Sequence, residues 1–203
     1  MTTCIRPAHV ISGLLQFPFF YHMTHKDNLA AILQHGILSH TDVLVRDDIL
    51  ATDISDAGVQ QRRCDREDPV YHRALHDYAP LYINPKNPML SKLRCRQHEI
   101  VILKISPGVL QGNEYVFSDG NAASRETMFS PSANVVFSSV EVLSAKVWKD
   151  YIDGTRRRCA ELLVYPGVQP NHILSVICNS NAFAREIAVQ TDIQIEVNPS
   201  MFF

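Results

Sequence analysis

From residue 19 onward, apolar and polar positions follow strand and helix periods closely enough to lay out a succession of elements. Residues 19–23, Phe-Phe-Tyr-His-Met, read as a short strand. The next segment carries a helix signature, with Thr24 and Asp27 as a capping box, an apolar stripe at Leu29, Ile32 and Leu33, and Gly36 as the stop. Residues 53–63 open with cap-type side chains and predict a more polar helix ending on Arg62 and Arg63. Between 79 and 93, a short apolar run followed by Pro85 and Pro88 predicts a strand, a loop and a brief helix at Met89–Leu93.

The second half is richer in strands. Residues 99–105 are apolar on both faces, as a buried central strand requires, and residues 115–119 end in the turn-forming Asp119-Gly120-Asn121. Residues 161–165 and 172–178, separated by a turn with Pro166, Gly167 and Pro170, predict two strands joined by a short loop and paired with each other. A helix at 181–190 and a strand at 193–197 complete the chain. The expected class is a mixed α/β (α+β) fold in a single domain, residues 1–203. A doubly wound nucleotide fold is excluded, because neither G-x-G-x-x-G nor a P-loop follows any strand.

Composition changes little in this picture. The chain has 203 residues, 46% apolar and 20% charged, so it is long enough to bury roughly 70% of its unfolded surface without disulfide or metal staples. Its five cysteines, Cys4, Cys64, Cys95, Cys159 and Cys178, form no C-x-x-C pair and fit a reducing, cytoplasmic setting. The apolar patch Val10–Phe20 is broken by Ser12, Gly13, Gln16 and Pro18 and falls short of the roughly 20 residues a membrane span needs, so no membrane association is expected. The formal net charge of −2 excludes a global basic field; nucleic-acid binding would have to use local clusters. Three exist: Arg62, Arg63 and Arg66; Lys92, Arg94 and Arg96; and Arg156, Arg157 and Arg158.

Candidate chemistry is sparse. His22, His25, His35 and His40 lie close in sequence but are spread over a strand end, a helix and a loop with no cysteine at a zinc spacing, so no metal is expected. A serine hydrolase is disfavoured by the lack of a G-x-S-x-G elbow. Glu161 stands out, because alternation puts it on the same face as Leu163 and Tyr165 at the rim of an otherwise apolar strand. A carboxylate there is costly unless it is paired or used. It serves either as the ion-pair partner of Arg157 or Arg158, or in catalysis.

The segments 21–38, 59–63, 75–90, 115–124 and 160–165 occur in the order and approximate spacing of the DarT-type DNA ADP-ribosyltransferases, and the chain resembles that family over about residues 19–203. The resemblance implies an ADP-ribosyltransferase fold, a split mixed sheet with NAD⁺ in the cleft between its halves, and transfer of ADP-ribose from NAD⁺ to a base of single-stranded DNA. Thymine is the expected base, with guanine as the alternative. It further implies a toxin held in check by an antitoxin with ADP-ribosyl-glycohydrolase activity, usually a macrodomain.

By family position, Glu161 matches the catalytic glutamate, and Arg63 matches an arginine that serves catalysis and diphosphate contact, with Arg62 the neighbour if the register shifts by one. His22 matches a histidine that orients NAD⁺, the alternative being a packed strand residue; Thr24 and Asn28 line the same turn. Tyr82 and Met89 match positions at the nicotinamide end, or are core residues. Asn121 stands where family members carry a histidine, in a loop beside the acceptor base, and Lys86 replaces a common arginine. Arg156, Arg157 and Arg158 are expected to contact acceptor phosphates. Competing readings are the same chemistry on RNA or protein, and a non-catalytic nucleic-acid-binding module.

Overall fold

The structure, a computed structural model, describes residues 18–203. Cys4 and residues 10–17 of the apolar patch lie outside the described residues. Strand β1 (Phe20–His25) runs two residues past its expected end, into a 3₁₀ turn (Lys26–Asn28) and helix α1 (Leu29–His35). The expected capping box is therefore corrected: Thr24 belongs to the strand, and His25 caps the turn by accepting the Asp27 N–H on its ring nitrogen at 3.2 Å. Gly36 does stop the helix. Its φ is +87°, and a Cβ there would lie 2.1 Å from the Val168 carbonyl oxygen, where β2 (Ile37–Leu38) pairs with β8 (Gly167–Val168).

The chain continues through α2 (His40–Leu44) to α3 (Ala57–Cys64), whose start is set by Asp56, its carboxylate accepting the Val59 N–H at 3.0 Å. Strand β3 (Ala79–Tyr82) and helix α4 (Pro88–Lys92) fall where the apolar run and the prolines put them, with buried Asn87 capping α4 through the amides of Met89 and Leu90. Then come β4 (Ile100–Ile105), β5 (Glu114–Ser118), β6 (Phe129–Ser130) and three short helices, α5 (Asn134–Phe137), α6 (Val140–Ser144) and α7 (Gly154–Arg157). Strands β7 (Glu161–Tyr165) and β9 (Ile173–Cys178), helix α8 (Asn181–Ala188) and β10 (Ile195–Val197) end the succession.

Among the described residues, eight of these strands form one sheet in the order β10-β9-β4-β1-β3-β7-β5-β6. Only β10 and β9 pair in parallel. The expected pairing of 161–165 with 172–178 does not occur: β7 lies between β3 and β5, and β9 between β4 and β10. The connection carries the chain from one half of the sheet to the other. Those halves meet at β1 and β3, which share a single register pair, Tyr21 with Tyr82.

A proline explains the weak seam. In an antiparallel strand the N–H and C=O of one residue point to the same side. Pro80 turns its carbonyl toward β1, where the His22 ring takes it at 3.0 Å, and it has no N–H to offer beside it. The ladder is thus broken at the one place where it could have closed the sheet.

One face of the sheet carries the larger apolar cluster, including Phe20, Leu81, Leu103, Phe117, Leu162 and Val176. The other face carries two smaller clusters, one around Met23, Ile100 and Ile102 and one around Tyr78, Val116 and Leu163. Strand β4 feeds both sides, as its unbroken apolar run requires. Leu103 is fully buried, so Leu103→Ala should cost about 2–5 kcal/mol. Urea unfolding measures it; a loss below about 1 kcal/mol would mean that the core is not packed around this strand.

Candidate active site

Glu161 opens β7 directly across from Tyr82 of β3, beside the seam, on the face that carries the smaller clusters. It is 2% exposed. The carboxylate survives burial because both oxygens are occupied: Oε2 accepts from Arg63 Nη1 at 3.0 Å and Oε1 accepts the backbone N–H of Ala122 at 3.0 Å. Its own backbone N–H donates to Ser118 Oγ, which in turn donates to the Gly120 carbonyl. The expected ion pair with Arg157 or Arg158 is corrected; the partner is Arg63, 98 positions earlier in the chain.

Helix α3 decides which arginine that is. Arg63 faces inward and is 7% exposed, whereas Arg62 lies exposed on the outer surface of the same helix. Arg66, one turn further, reaches a different target, the loop 119–127 that supplies Ala122.

His22, Thr24 and Asn28 gather at a second place, a cavity of about 120 Å³ whose apolar walls include Ile32, Ile37 and Ile49. His22 Nδ1 bonds the Pro80 carbonyl, so that nitrogen carries the proton and Nε2 is left as an acceptor. The imidazole is held below its ordinary pKa by removal from water, with the Pro80 bond opposing. Thr24 and Asn28 line the cavity but spend their polar atoms on the fold. Asn28 donates to Thr24 Oγ1 and the Thr52 carbonyl, both at 2.9 Å, and accepts the Thr52 N–H at 2.7 Å. That clamp fixes the segment leading into α3, and so links the cavity to Arg63.

Tyr82 and Met89 touch each other, the hydroxyl donating to the thioether sulfur at 3.0 Å, and both pack against the Met23 cluster. Burial and the nearby Glu161 carboxylate push the Tyr82 hydroxyl pKa well up, so it remains a donor. Asn121 is held on several sides: its N–H donates to the Arg156 carbonyl at 3.0 Å and its Oδ1 accepts the Ala123 N–H at 2.9 Å. Lys86 reaches the Ser200 carbonyl, away from the seam.

The run 156–158 is bonded largely within the protein. Arg158 is 4% exposed, with its guanidinium given to the carbonyls of Lys86, Val142, Leu143 and Ala145; the last three ring the C-terminal end of α6. Arg156 grips Asp119 with two parallel bonds, at 2.7 and 3.2 Å. Arg157 donates to the carbonyls of Ser138 and Ile152. All three guanidiniums have partners within the fold; Arg158 is buried, whereas Arg156 and Arg157 are half-buried. The Ala122 amide had no signature in sequence, since any residue carries one. Among the described residues, no group of three His, Cys, Asp or Glu side chains is placed to hold a metal ion, and no helix is long and apolar enough to cross a membrane.

A buried carboxylate paired with an arginine beside the β1–β3 seam, and a separate small cavity along β1, are the two features of the fold that could serve chemistry. The family model described as "ssDNA thymidine ADP-ribosyltransferase, DarT" matches residues 21–203, and the chain belongs to that family. It is 28% identical over 198 residues to a DNA ADP-ribosyl transferase–DNA ADP-ribosyl glycohydrolase fusion protein of Thermosipho africanus, covering 92% of this chain and 50% of that protein. It thus spans about half the length of that relative. A DNA ADP-ribosyl transferase of Thermus sp. is 30% identical over 157 residues, covering 71% of this chain and 73% of its own. The fold is shared with Thermus sp. 2.9 DarT in complex with ADP-ribosylated ssDNA, at a TM-score of 0.82 and 23% identity over 93% of this chain and 97% of that one. Thermosipho africanus DarTG in complex with ADP-ribose gives a TM-score of 0.81 and 26% identity, over 92% of this chain and 51% of that one.

Two stability predictions follow from this geometry. Arg63→Met alone strands a buried carboxylate and should cost about 3–5 kcal/mol, whereas Arg63→Met combined with Glu161→Gln should recover part of that loss in thermal or urea unfolding. A double variant no more stable than Arg63→Met would show that the pair is not coupled. For His22, a folded pKa below the unfolded 6.5 means that its contribution is fully present above that pH and is lost as the pH falls toward the folded value, because the unfolded chain binds the proton first. His22→Asn should flatten the fall of melting temperature below pH 6.5; an unchanged profile would contradict a half-buried imidazole held neutral.

Proposed function

We propose that this chain transfers ADP-ribose from NAD⁺ to a nucleobase, thymine first, in single-stranded DNA. The observation that carries the reading is the Glu161 carboxylate, buried at the seam and held from both sides by Arg63 and the Ala122 amide. Family membership supports the reaction class, and the name of the family supports thymidine.

The residues fit NAD⁺ as substrate. The cavity beside β1 offers apolar walls and the Nε2 acceptor of His22 for a hydroxyl-bearing group. Arg63 gives one N–H to Glu161 and keeps the rest of its fork for an anion. Tyr82 and Met89 supply an aromatic face and a polarizable sulfur next to Glu161, suited to a flat ring.

NAD⁺ supplies a nicotinamide–ribose bond that breaks with its electron pair leaving on nicotinamide, while positive charge grows at the anomeric carbon. Glu161 accepts a hydrogen bond from the ribose hydroxyl, and the anionic carboxylate strengthens that bond as the charge develops. The attacking base nitrogen forms the new bond to that carbon and gives its proton to Glu161. Arg63 holds the carboxylate in place throughout. Asn121, one residue from Ala122, is assigned to the acceptor base, and Arg62, the exposed cation of α3, to a DNA phosphate.

The fused glycohydrolase of the Thermosipho relative supports a toxin role, with an antitoxin that removes ADP-ribose from DNA. Such a pair works in the bacterial cytoplasm, where NAD⁺ and single-stranded DNA meet.

The test is to incubate the protein with NAD⁺ and defined single-stranded DNA, RNA or protein and read which acceptor gains the mass of ADP-ribose. A thymine-containing oligonucleotide is the expected acceptor, leaving as its ADP-ribosylated form with release of nicotinamide. Glu161→Gln should abolish transfer, with folding and NAD⁺ binding retained. Gain on guanine alone, or on RNA or protein alone, would overturn the acceptor; near-normal transfer by Glu161→Gln would overturn the mechanism.

A further inference from the structure

The loop 119–127 hands Glu161 the Ala122 N–H, and two arginines hold that loop from opposite ends of the sequence. Arg156 binds both of its termini: its guanidinium takes the Asp119 carboxylate at 2.7 and 3.2 Å and the Thr127 hydroxyl at 3.2 Å, and its carbonyl accepts the Asn121 N–H at 3.0 Å. The fit is close. A Cβ on Gly120 would stand 2.6 Å from Arg156 Nη1 and 2.9 Å from the Arg156 carbonyl oxygen. Asp153 holds the far side of the guanidinium through its Nε.

Arg66 holds the inside of the loop. It donates to the carbonyls of Ala122 at 2.9 Å, Ser124, and Thr127 at 3.3 Å, while its guanidinium lies 5.0 Å over the Phe129 ring. The residue whose N–H reaches Glu161 is thus the same residue whose C=O is gripped by Arg66. Its peptide neighbour, Asn121, is gripped by Arg156.

We propose that Arg66 and Arg156 are positioning residues for the acceptor step: together they fix loop 119–127 so that Ala122 is bonded to Glu161 and the acceptor base meets a fixed wall. The assignment rests on the function proposed above. It replaces phosphate contact as the role of Arg156. Loss of either arginine lets the loop drift, and a misplacement of about 1 Å at such a site can cost about 10²-fold. Water needs no such wall, so the drift diverts cleaved NAD⁺ from DNA to hydrolysis.

The experiment measures, for each protein, ADP-ribose on a thymine-containing single strand as a fraction of nicotinamide released. Arg66→Gln and Arg156→Gln should each lower that fraction about tenfold or more, with NAD⁺ affinity nearly unchanged. A merely structural role would lower both products together and leave the fraction as in the wild type, which would overturn the proposal. Should either Gln variant fail to fold, Arg156→Lys decides: it keeps the cation beside Asp119 and loses the fork, and its fraction should fall between wild type and zero. The salt dependence of DNA affinity should match the wild type, and a slope shallower by about 0.7 in Arg156→Gln, which removes the charge, would return Arg156 to phosphate binding. Wild-type protein that labels no single-stranded DNA would sink the underlying function instead, a result distinct from all of these.

Discussion

A carboxylate that is 2% exposed must be satisfied from within the protein, and the arrangement around Glu161 follows from that requirement. One oxygen needs a cation, which brings Arg63 and its helix down onto the sheet; the other needs an N–H, which brings loop 119–127 over the strand end. The loop in turn needs anchors, supplied by Arg66 and Arg156. Three stretches far apart in sequence, α3, the loop and the continuous α7–β7 segment, are thereby tied to one side chain. Breaking the Glu161 pair at either partner leaves a buried charge, so the pair favours this arrangement over its neighbours more than it adds net stability.

The sheet accommodates the site because it is interrupted in the right place. Pro80 removes one rung of the ladder between β1 and β3, and the His22 imidazole occupies the carbonyl that the missing rung exposes. A residue with an N–H at position 80 would allow the halves to pair along more of their length. The seam thus runs between β1, which carries His22 and Thr24, and β3 with β7, which carry Tyr82 and Glu161.

Much of this was legible in the sequence, for particular reasons. Alternation alone placed Glu161 on the face of Leu163 and Tyr165, and the structure puts those two in the same cluster beside it. The run 99–105 predicted a central strand, found as β4, and Pro85 with Pro88 predicted the brief helix found as α4. Pairing between strands was not legible: β7 and β9 look like neighbours because seven residues separate Tyr165 from Ile173, yet nothing local records that the intervening segment crosses to the other half of the sheet. The Arg63 partner was equally hidden, because a contact 98 positions apart leaves no periodic trace. The family resemblance named both Arg63 and Glu161 as site residues, but not their contact.

The arginine run at 156–158 shows why charge in sequence and charge in space diverge. Three adjacent guanidiniums suggest a basic patch, but a planar fork with five donors is also the best side chain for gathering several carbonyls or a carboxylate inside a fold. Arg158 closes a helix C-terminus, Arg157 ties the two segments beside it, and Arg156 braces the loop at Glu161. What remains for a polyanion are cations with no salt bridge among the described residues, such as Arg62 on the outer surface of α3 and Arg125 in the loop itself. Both belong to the segments that meet Glu161. On the proposed function, a chain of net charge −2 needs no broad basic surface, because a few exposed arginines carried by the same segments as the carboxylate bring phosphate to the point where the base must react.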